Sequence, residues 1–303
     1  MIPYRTKLIL AFAAIYLVWG STFIMVQHAL KSFPPFVLSC LRLSIAGISL
    51  GLICLFTREG LPNNKEFIKN IFIGITIFVG GIVAVVWAQQ YLSSSMTSVI
   101  ITTPFWFVIL DRRQWTYYFS SKWIISGLIL GLIGVIVLMG LKEGRVSHAS
   151  TQMKTIAILI IIIGSFLWAG GSLYLKYNPT HSSVYVNTSI QLISAGIVCI
   201  PLAYFNGDWN KINFNDVPWS AWGAVIYLAI ASSLITFLAF IWLIKVQPPA
   251  IVSTYSYINP LVATLLGWGI AGEHISLFQV LALFIILVGV LFVNIPKYKT
   301  SKT

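Results

Sequence analysis

Ionisable side chains are rare inside the apolar runs of this sequence, and each one is a candidate for chemistry. A charge in an apolar environment is costly, so such a residue is retained where it binds, relays or anchors. Arg42 lies six residues into an apolar run. It could hold a carboxylate, lock an outer vestibule, or extend its guanidinium to a polar surface. Asp111 and Glu273 lie at the ends of apolar runs. The structural alternative for Asp111 is a salt bridge with Arg112 and Arg113, and that for Glu273 is a helix-capping role.

A second set of candidates consists of aromatic, hydroxyl and amide side chains at helical spacing. Such groups bind small solutes through hydrogen bonds and aromatic faces, or they pack helices and form interfacial belts. Pro104 and Pro260 differ, because a proline inside a helix frees the carbonyl one turn earlier. We predict that these two prolines act in gating. The predicted solute-binding set is Tyr16, Trp19, Ser21, Thr22, Arg42, Thr102, Thr103, Trp106, Trp168, Ser172, Tyr255 and Asn259.

The sequence lacks the patterns expected of an enzyme or a cofactor protein. No Asp shares an apolar run with a histidine that could activate a nucleophile, and no glycine-rich phosphate loop with lysine occurs. The histidines lie in or beside loops without the spacing of metal ligands: His28, His148, His181 and His274. The three cysteines lie in apolar runs, which is typical of small buried side chains. We therefore predict no catalytic activity, no cofactor and no metal.

Composition places these candidates in a lipid bilayer. Only 9% of the 303 residues are charged, where soluble proteins have about 25%. The hydrophobic fraction is 58% and the mean hydropathy is +0.90. These values exclude a soluble domain and a disordered chain. The net charge of +12 comes from scattered Lys and Arg rather than from one basic face, so no nucleic acid is expected as a partner.

Ten apolar runs are candidate membrane spans, each of which needs about 20 residues. The fourth run is short and contains Pro104, so we place it inside the bundle rather than against lipid. Lys and Arg are concentrated in alternate loops, which predicts cytoplasmic termini in a multi-pass inner-membrane protein. The runs are Leu8–Gln27, Phe36–Phe56, Ile71–Tyr91, Val99–Leu110, Trp123–Leu141, Ile156–Tyr177, Val184–Phe205, Trp219–Ile244, Ile251–Ala271 and Leu277–Ile295.

The two halves of the chain are related by an internal repeat. At a shift of 149 residues Trp19 falls on Trp168, and the Ala-Gly-Ile sequence at 46–48 falls on the same sequence at 195–197. At a shift of 155 or 156, the matching pairs are Trp87 with Trp242, Pro104 with Pro260, and Gly134 with Gly289. An odd number of spans per half makes the second half inverted, as in many secondary transporters. The predicted fold is all-α, with ten transmembrane helices as two inverted five-helix repeats, 8–141 and 156–295.

Specific motifs resemble a known family. They are the Trp-Gly-Ser-Thr-Phe sequence at 19–23 and the stretch from Asn259-Pro260-Leu261 through Gly267-Trp268. In these motifs residues 8–295 resemble the EamA-type branch of the drug/metabolite transporter superfamily. The resemblance implies ten spans in two repeats and the export of small metabolites.

The predicted function is that of a secondary transporter that exports a small neutral or zwitterionic metabolite, amino-acid-like or drug-like, by alternating access. Its expected partners are this solute and the lipid bilayer, with a proton or ion gradient as a candidate driving force. Phosphorylated sugars would require several core cations, and Arg42 is the single cation away from the ends of the predicted spans. The alternatives are an uptake or facilitative permease of the same fold and a non-transporting membrane scaffold.

Overall fold

The computed structural model describes residues 3–92, 97–98, 100–101, 103–140, 150–271 and 277–300. Its helices in this part of the chain are α1 Tyr4–Ala29, α2 Pro35–Phe56, α3 Asn64–Ala88, α4 Thr103–Leu110, α5 Trp115–Ser120, α6 Lys122–Gly140, α7 Thr151–Tyr177, α8 Val184–Phe205, α9 Trp219–Val246, α10 Pro249–Val252, α11 Tyr255–Ala271 and α12 Leu277–Thr300. Short 3₁₀ turns occur at Arg112–Gln114, Asp208–Lys211 and Phe214–Asp216.

Seven helices in the described residues are long and apolar enough to cross a membrane: α1, α2, α3, α7, α8, α9 and α12. The pair Arg112–Ser120 and Lys122–Val137, bent by 93°, raises the number to eight if it forms one span. Two predicted spans correspond to shorter helices, α4 with 8 residues and α11 with 17. Large apolar side chains such as Phe284 and Ile197 are exposed along the helix flanks, as lipid contact requires. The chain is therefore a multi-pass membrane protein, and the number of ten spans remains a prediction.

The two repeat-related prolines, Pro104 and Pro260, occupy different positions in their helices. Pro104 is the second residue of α4 and not an interior residue as we predicted, because the helix is already interrupted at Ile101. A proline is tolerated at this place, since the first N–H groups of a helix have no partner in the helix. Pro260 lies inside α11, and the preceding turn at 253–254 separates α10 from α11. Pro104 thus lies next to a break between helical pieces, whereas Pro260 lies one and a half turns into α11.

Repeat-related helices pack against each other through glycines. A Cβ on Gly47 of α2 would lie 2.7 Å from Ile193 of α8, and a Cβ on Gly196 of α8 would lie 2.5 Å from Ser44 of α2. The contacts are reciprocal, because the shift of 149 residues relates Gly47 to Gly196 and Ser44 to Ile193. Ser44 contacts Gly196, whereas Gly47, later in α2, contacts Ile193, earlier in α8. The two helices are therefore antiparallel.

The α6–α12 pair repeats this arrangement. A Cβ on Gly134 would lie 2.8 Å from Ile286, and a Cβ on Gly289 would lie 2.5 Å from the backbone nitrogen of Gly131. The shift of 155 residues relates Gly134 to Gly289 and Gly131 to Ile286. A second pair of counterpart helices is therefore also reciprocal and antiparallel.

Gly289→Ala is expected to destabilise the protein. Its new Cβ would meet backbone atoms of Gly131 and Gly127, at 2.5 and 2.8 Å, which cannot rotate away. Such overpacking lowers the free energy of unfolding by about 1–3 kcal/mol. Thermal unfolding of the purified protein in detergent measures the loss. Gly223→Ala in α9 is the control, because nothing lies within 4 Å of its Cβ. A Gly289→Ala protein as stable as wild type would contradict this packing.

Three helices contain π-helical segments near the centre of the bundle: Ala14–Val18 in α1, Ile75–Val83 in α3 and Leu228–Thr236 in α9. The α3 and α9 segments are both nine residues long and lie on counterpart helices. A π-helical turn disturbs the regular backbone ladder and is frequent at functional sites. In α9 the carbonyl of Ser232 accepts a hydrogen bond from Trp19 Nε1 at 3.2 Å. The α9 segment therefore lies at a contact between α9 and α1.

Candidate functional site

Buried aromatic rings from four helices meet beside these segments, and we call the cluster of Trp19, Trp168, Phe237, Phe240 and Tyr255 the aromatic partition. Ring centroids are 5.6 Å apart for Trp19 and Trp168, and 4.8 Å apart for Trp19 and Tyr255. Trp168 also contacts Phe240 at 5.5 Å. Trp19 and Trp168 are only 8% and 7% exposed, so the interfacial-belt alternative is wrong for both. The two repeat-related tryptophans instead meet inside the bundle.

The central cavity lies against one face of this partition and has a volume of about 110 Å³. Helices α1, α2, α3, α7, α9 and α11 contribute to its wall. Six residues of the predicted binding set line it: Trp19, Thr22, Arg42, Trp168, Tyr255 and Asn259. Much of the remaining wall is apolar and includes Phe23, Val26, Ile82, Val85, Val86 and Ile101. The cavity therefore combines a large apolar surface with a few polar groups, as small-molecule sites do.

Arg42 is the cation of this cavity. Its side chain is 2% exposed, so the alternative that it extends to a polar surface is wrong. Nε donates to Ser233 Oγ at 2.8 Å and Nη2 donates to Ser232 Oγ at 3.1 Å. No carboxylate among the described residues forms an ion pair with it. A buried guanidinium without a counter-ion beside a cavity favours an anionic group as ligand.

Three polar atoms in the cavity wall are buried and lack a partner among the described residues. They are Gln89 Oε1, Asn259 Oδ1 and Trp168 Nε1. Gln89 Nε2 donates to the carbonyl of Phe23 at 3.5 Å, which leaves its oxygen free to accept. A buried polar atom without a partner is costly, so a bound ligand or water is the expected partner. Two unpartnered acceptors and one unpartnered donor thus belong to side chains of the cavity wall.

The sequence did not identify every residue of the wall. Gln89, Ser165 and the small residues Gly81 and Gly164 line the cavity but were not predicted. The signal for Gln89 was an amide close to the end of an apolar run, which does not indicate the side of the helix. Gly81 lies against the Trp168 ring, where a Cβ would be 2.8 Å away. These positions could be assigned only after the helix rotations were known.

Four predicted binding residues lie outside the cavity wall. Their polar or aromatic groups contact other parts of the bundle: Tyr16 with Thr254 Oγ1 at 2.8 Å, Ser21 with Tyr227 at 2.6 Å, Ser172 with the Trp168 carbonyl at 2.6 Å and Trp106 with Phe166 at 5.3 Å. Thr102 lies outside the described residues, as do Glu273 and the side chain of Thr103. Contact of these residues with a solute remains a prediction.

Asp111 is buried at the end of α4 and is bonded by two tyrosines. Tyr118 and Tyr177 donate to its carboxylate at 2.9 and 2.6 Å. The predicted salt bridge with Arg112 and Arg113 is wrong, because both arginines are exposed on the following turn while the carboxylate faces α7. Asp111 therefore joins α4, α5 and the end of α7.

Further contacts join helix ends at the same side of the bundle, which we call the amino-terminal end. Lys176 Nζ donates to the carbonyl of Gln247 at 3.2 Å, and Gln247 Nε2 donates to Tyr4 at 3.3 Å. Lys7 lies 4.8 Å from the ring of Trp242. The α1 residues of the central cavity follow Trp19 and so lie farther from Tyr4. The amino-terminal end is thus closed by side-chain contacts, and the central cavity lies on the opposite side of Trp19.

Comparisons with known proteins agree over nearly the whole chain. The profile of the EamA-like transporter family matches residues 6–140 and again residues 155–295. The uncharacterized inner membrane transporter YedA of Escherichia coli (strain K12) is 30% identical over 291 residues, covering 95% of this chain and 90% of YedA. The uncharacterized transporter YoaV of Bacillus subtilis (strain 168) is 21% identical over 302 residues, which cover 98% of this chain and 99% of YoaV. A solved crystal structure has a similar fold, with a TM-score of 0.76 at 17% identity over 98% of this chain and 99% of that one.

Proposed function

This chain belongs to the EamA-like transporter family, and from that premise we propose that it exports a small zwitterionic metabolite across the inner membrane. It works as a secondary transporter, by alternating access, with the central cavity as the solute site. Its five-helix halves, 8–141 and 156–295, are inverted repeats. The reciprocal glycine contacts of α2 with α8 and of α6 with α12 support this inversion. Cytoplasmic termini make the observed state an outward-facing one.

The observation that carries this proposal is the uncompensated charge of Arg42 beside the central cavity. A guanidinium binds a carboxylate through charge-assisted hydrogen bonds, which are stronger than neutral ones. The unpartnered oxygens of Gln89 and Asn259 lie in the same wall and accept hydrogen bonds from an ammonium group. Together they provide both halves of the recognition of a zwitterion.

The apolar wall and the volume limit the rest of the solute. An engineered apolar cavity of about 150 Å³ holds benzene. The central cavity, at about 110 Å³, therefore accepts one small side chain rather than a nucleotide or a disaccharide. The faces of Trp19, Trp168 and Tyr255 favour an apolar or aromatic group there.

Metabolite profiling of cells and medium, with and without overexpression, tests the function. We expect one or a few small zwitterions to accumulate in the medium and to leave proteoliposomes loaded with the twenty standard amino acids or with the identified compound. Accumulation of a phosphorylated compound instead, or no change in any solute, would contradict the proposal.

A further inference from the structure

A second, smaller cavity lies at the amino-terminal end between α7, α8 and α9. Its volume is about 50 Å³. The exposed residues Asn178 and Lys245 form part of its rim, and Thr188 and Gln191 lie buried in its wall. A cavity of this size holds a few water molecules but no metabolite. It is therefore a narrow space, lined by both polar and apolar side chains, at the end of the bundle that the helix-end contacts close.

Gln191, in the wall of this cavity, has an unpartnered side-chain oxygen. The side chain is 2% exposed, and its Oε1 has no partner among the described residues. The orientation of the amide is determined by its neighbours. Asn70 Nδ2 donates to the carbonyl of Glu66 at 2.9 Å, which can only accept, so Asn70 Oδ1 must accept from Gln191 Nε2 at 2.7 Å. Gln191 Oε1 is thus held as a free acceptor.

The repeat relates this cavity to the central cavity. The shift of 149 residues that aligns Trp19 with Trp168 places Arg42 on Gln191 and Val26 on Leu175, and the shift of 155 places Val86 on Ile241. Arg42, Val26 and Val86 line the central cavity. Gln191, Leu175 and Ile241 line the second cavity. Three pairs of counterpart residues, from three pairs of counterpart helices, therefore occupy equivalent places in the two cavities.

We propose that the second cavity is the collapsed solute site of the opposite state, and that Gln191 Oε1 binds a donor group of the solute there. This inference rests on the proposed alternating access. When the amino-terminal end opens, the second cavity expands and the central cavity closes around Arg42. The solute carboxylate then leaves the guanidinium of Arg42. Gln191 Oε1, a neutral acceptor, binds the ammonium or hydroxyl group of the solute instead. Its anionic group is consequently held less tightly at the amino-terminal end.

A bulky residue in the second cavity tests, without a solute, whether expansion of this cavity closes the central cavity. Leu175→Trp cannot fit the small cavity and should shift the protein to the opposite state. An Ile82→Cys reporter in the central cavity should then react about tenfold more slowly with a small thiol reagent in purified protein. The native cysteines are all buried, so their own reaction with the reagent should be slow and give a low background. Ile197→Trp, at an exposed position of α8, should leave the reporter unchanged.

An unchanged reporter rate in folded Leu175→Trp protein would overturn the inference but leave the proposed export intact. If the tryptophan prevents folding, Leu175→Phe makes the same test with a smaller wedge. Gln191→Met provides the second readout: release of the exported zwitterion from proteoliposomes should be slowed about tenfold. Wild-type release by Gln191→Met would overturn the role of Gln191, whereas no release by the wild type would refute the proposed function itself.

Discussion

Arg42→Met is expected to reduce zwitterion efflux by about 10- to 100-fold while the protein remains folded. A hydrogen bond to a charged group contributes about 1.5–3 kcal/mol, which corresponds to this range in affinity. The same substitution removes a buried charge that has no carboxylate partner among the described residues. Its desolvation is unfavourable, so the melting temperature should stay constant or rise. Efflux from proteoliposomes and thermal unfolding of the same preparation measure both effects.

Arg42→Lys separates charge from geometry. A lysine ammonium is a point charge on a flexible stem and cannot reproduce the planar contacts with Ser232 and Ser233. We expect it to retain part of the efflux, with a higher solute concentration at half-maximal rate. Wild-type efflux by Arg42→Met would show that the solute does not depend on this cation. A strongly destabilised Arg42→Met protein would assign the residue a structural role instead.

Trp168→Ala is expected to open a leak between the two cavities. The indole contacts Trp19, Phe237 and Phe240 within the aromatic partition, at centroid distances of 5.6, 6.0 and 5.5 Å. Its truncation should lower the free energy of unfolding by about 3–5 kcal/mol and leave a hole in the partition. Proteoliposomes with this variant should lose glycerol at a rate that does not saturate with concentration.

The matched control is Trp219→Ala, because Trp219 is 89% exposed at the start of α9. Vesicles that contain this variant should have the same low glycerol permeability as those with wild-type protein. If Trp168→Ala vesicles are equally tight, another layer must separate the two ends of the bundle. The contacts of Asp111 with Tyr118 and Tyr177 are then the next layer to test.

Several properties of the site followed from the sequence because they depend on helix length and on the repeat. Trp19 and Trp168 were predicted as counterparts, and they contact each other in the aromatic partition. Arg42 was a candidate because an ionisable residue in an apolar run is costly wherever it lies. Six of the twelve predicted residues line the central cavity. The remaining positions required information that the residue pattern does not contain.

The missing information is the rotation of each helix about its axis. In a membrane, helix surfaces against lipid and against protein are both apolar, so hydropathy does not indicate which face is buried. Gln89 was missed for this reason, and Ser21 was predicted for the cavity although its hydroxyl contacts Tyr227. Asp111 was paired with the adjacent arginines because sequence shows neighbours along the chain, whereas its partners Tyr118 and Tyr177 come from packing.

The sequence by itself determined the environment, the family resemblance and the internal repeat, because bilayer thickness sets the length of apolar runs and a repeat preserves its Trp, Pro and Gly landmarks. Only the tertiary structure decided which polar atoms share a cavity. It placed Arg42 in one cavity wall with Gln89 and Asn259, whose amide oxygens lack partners, and it placed Gln191 in the wall of a second, smaller cavity. Those positions follow from close helix contacts at residues such as Gly47 and Gly289, whose distances depend on the whole packed bundle.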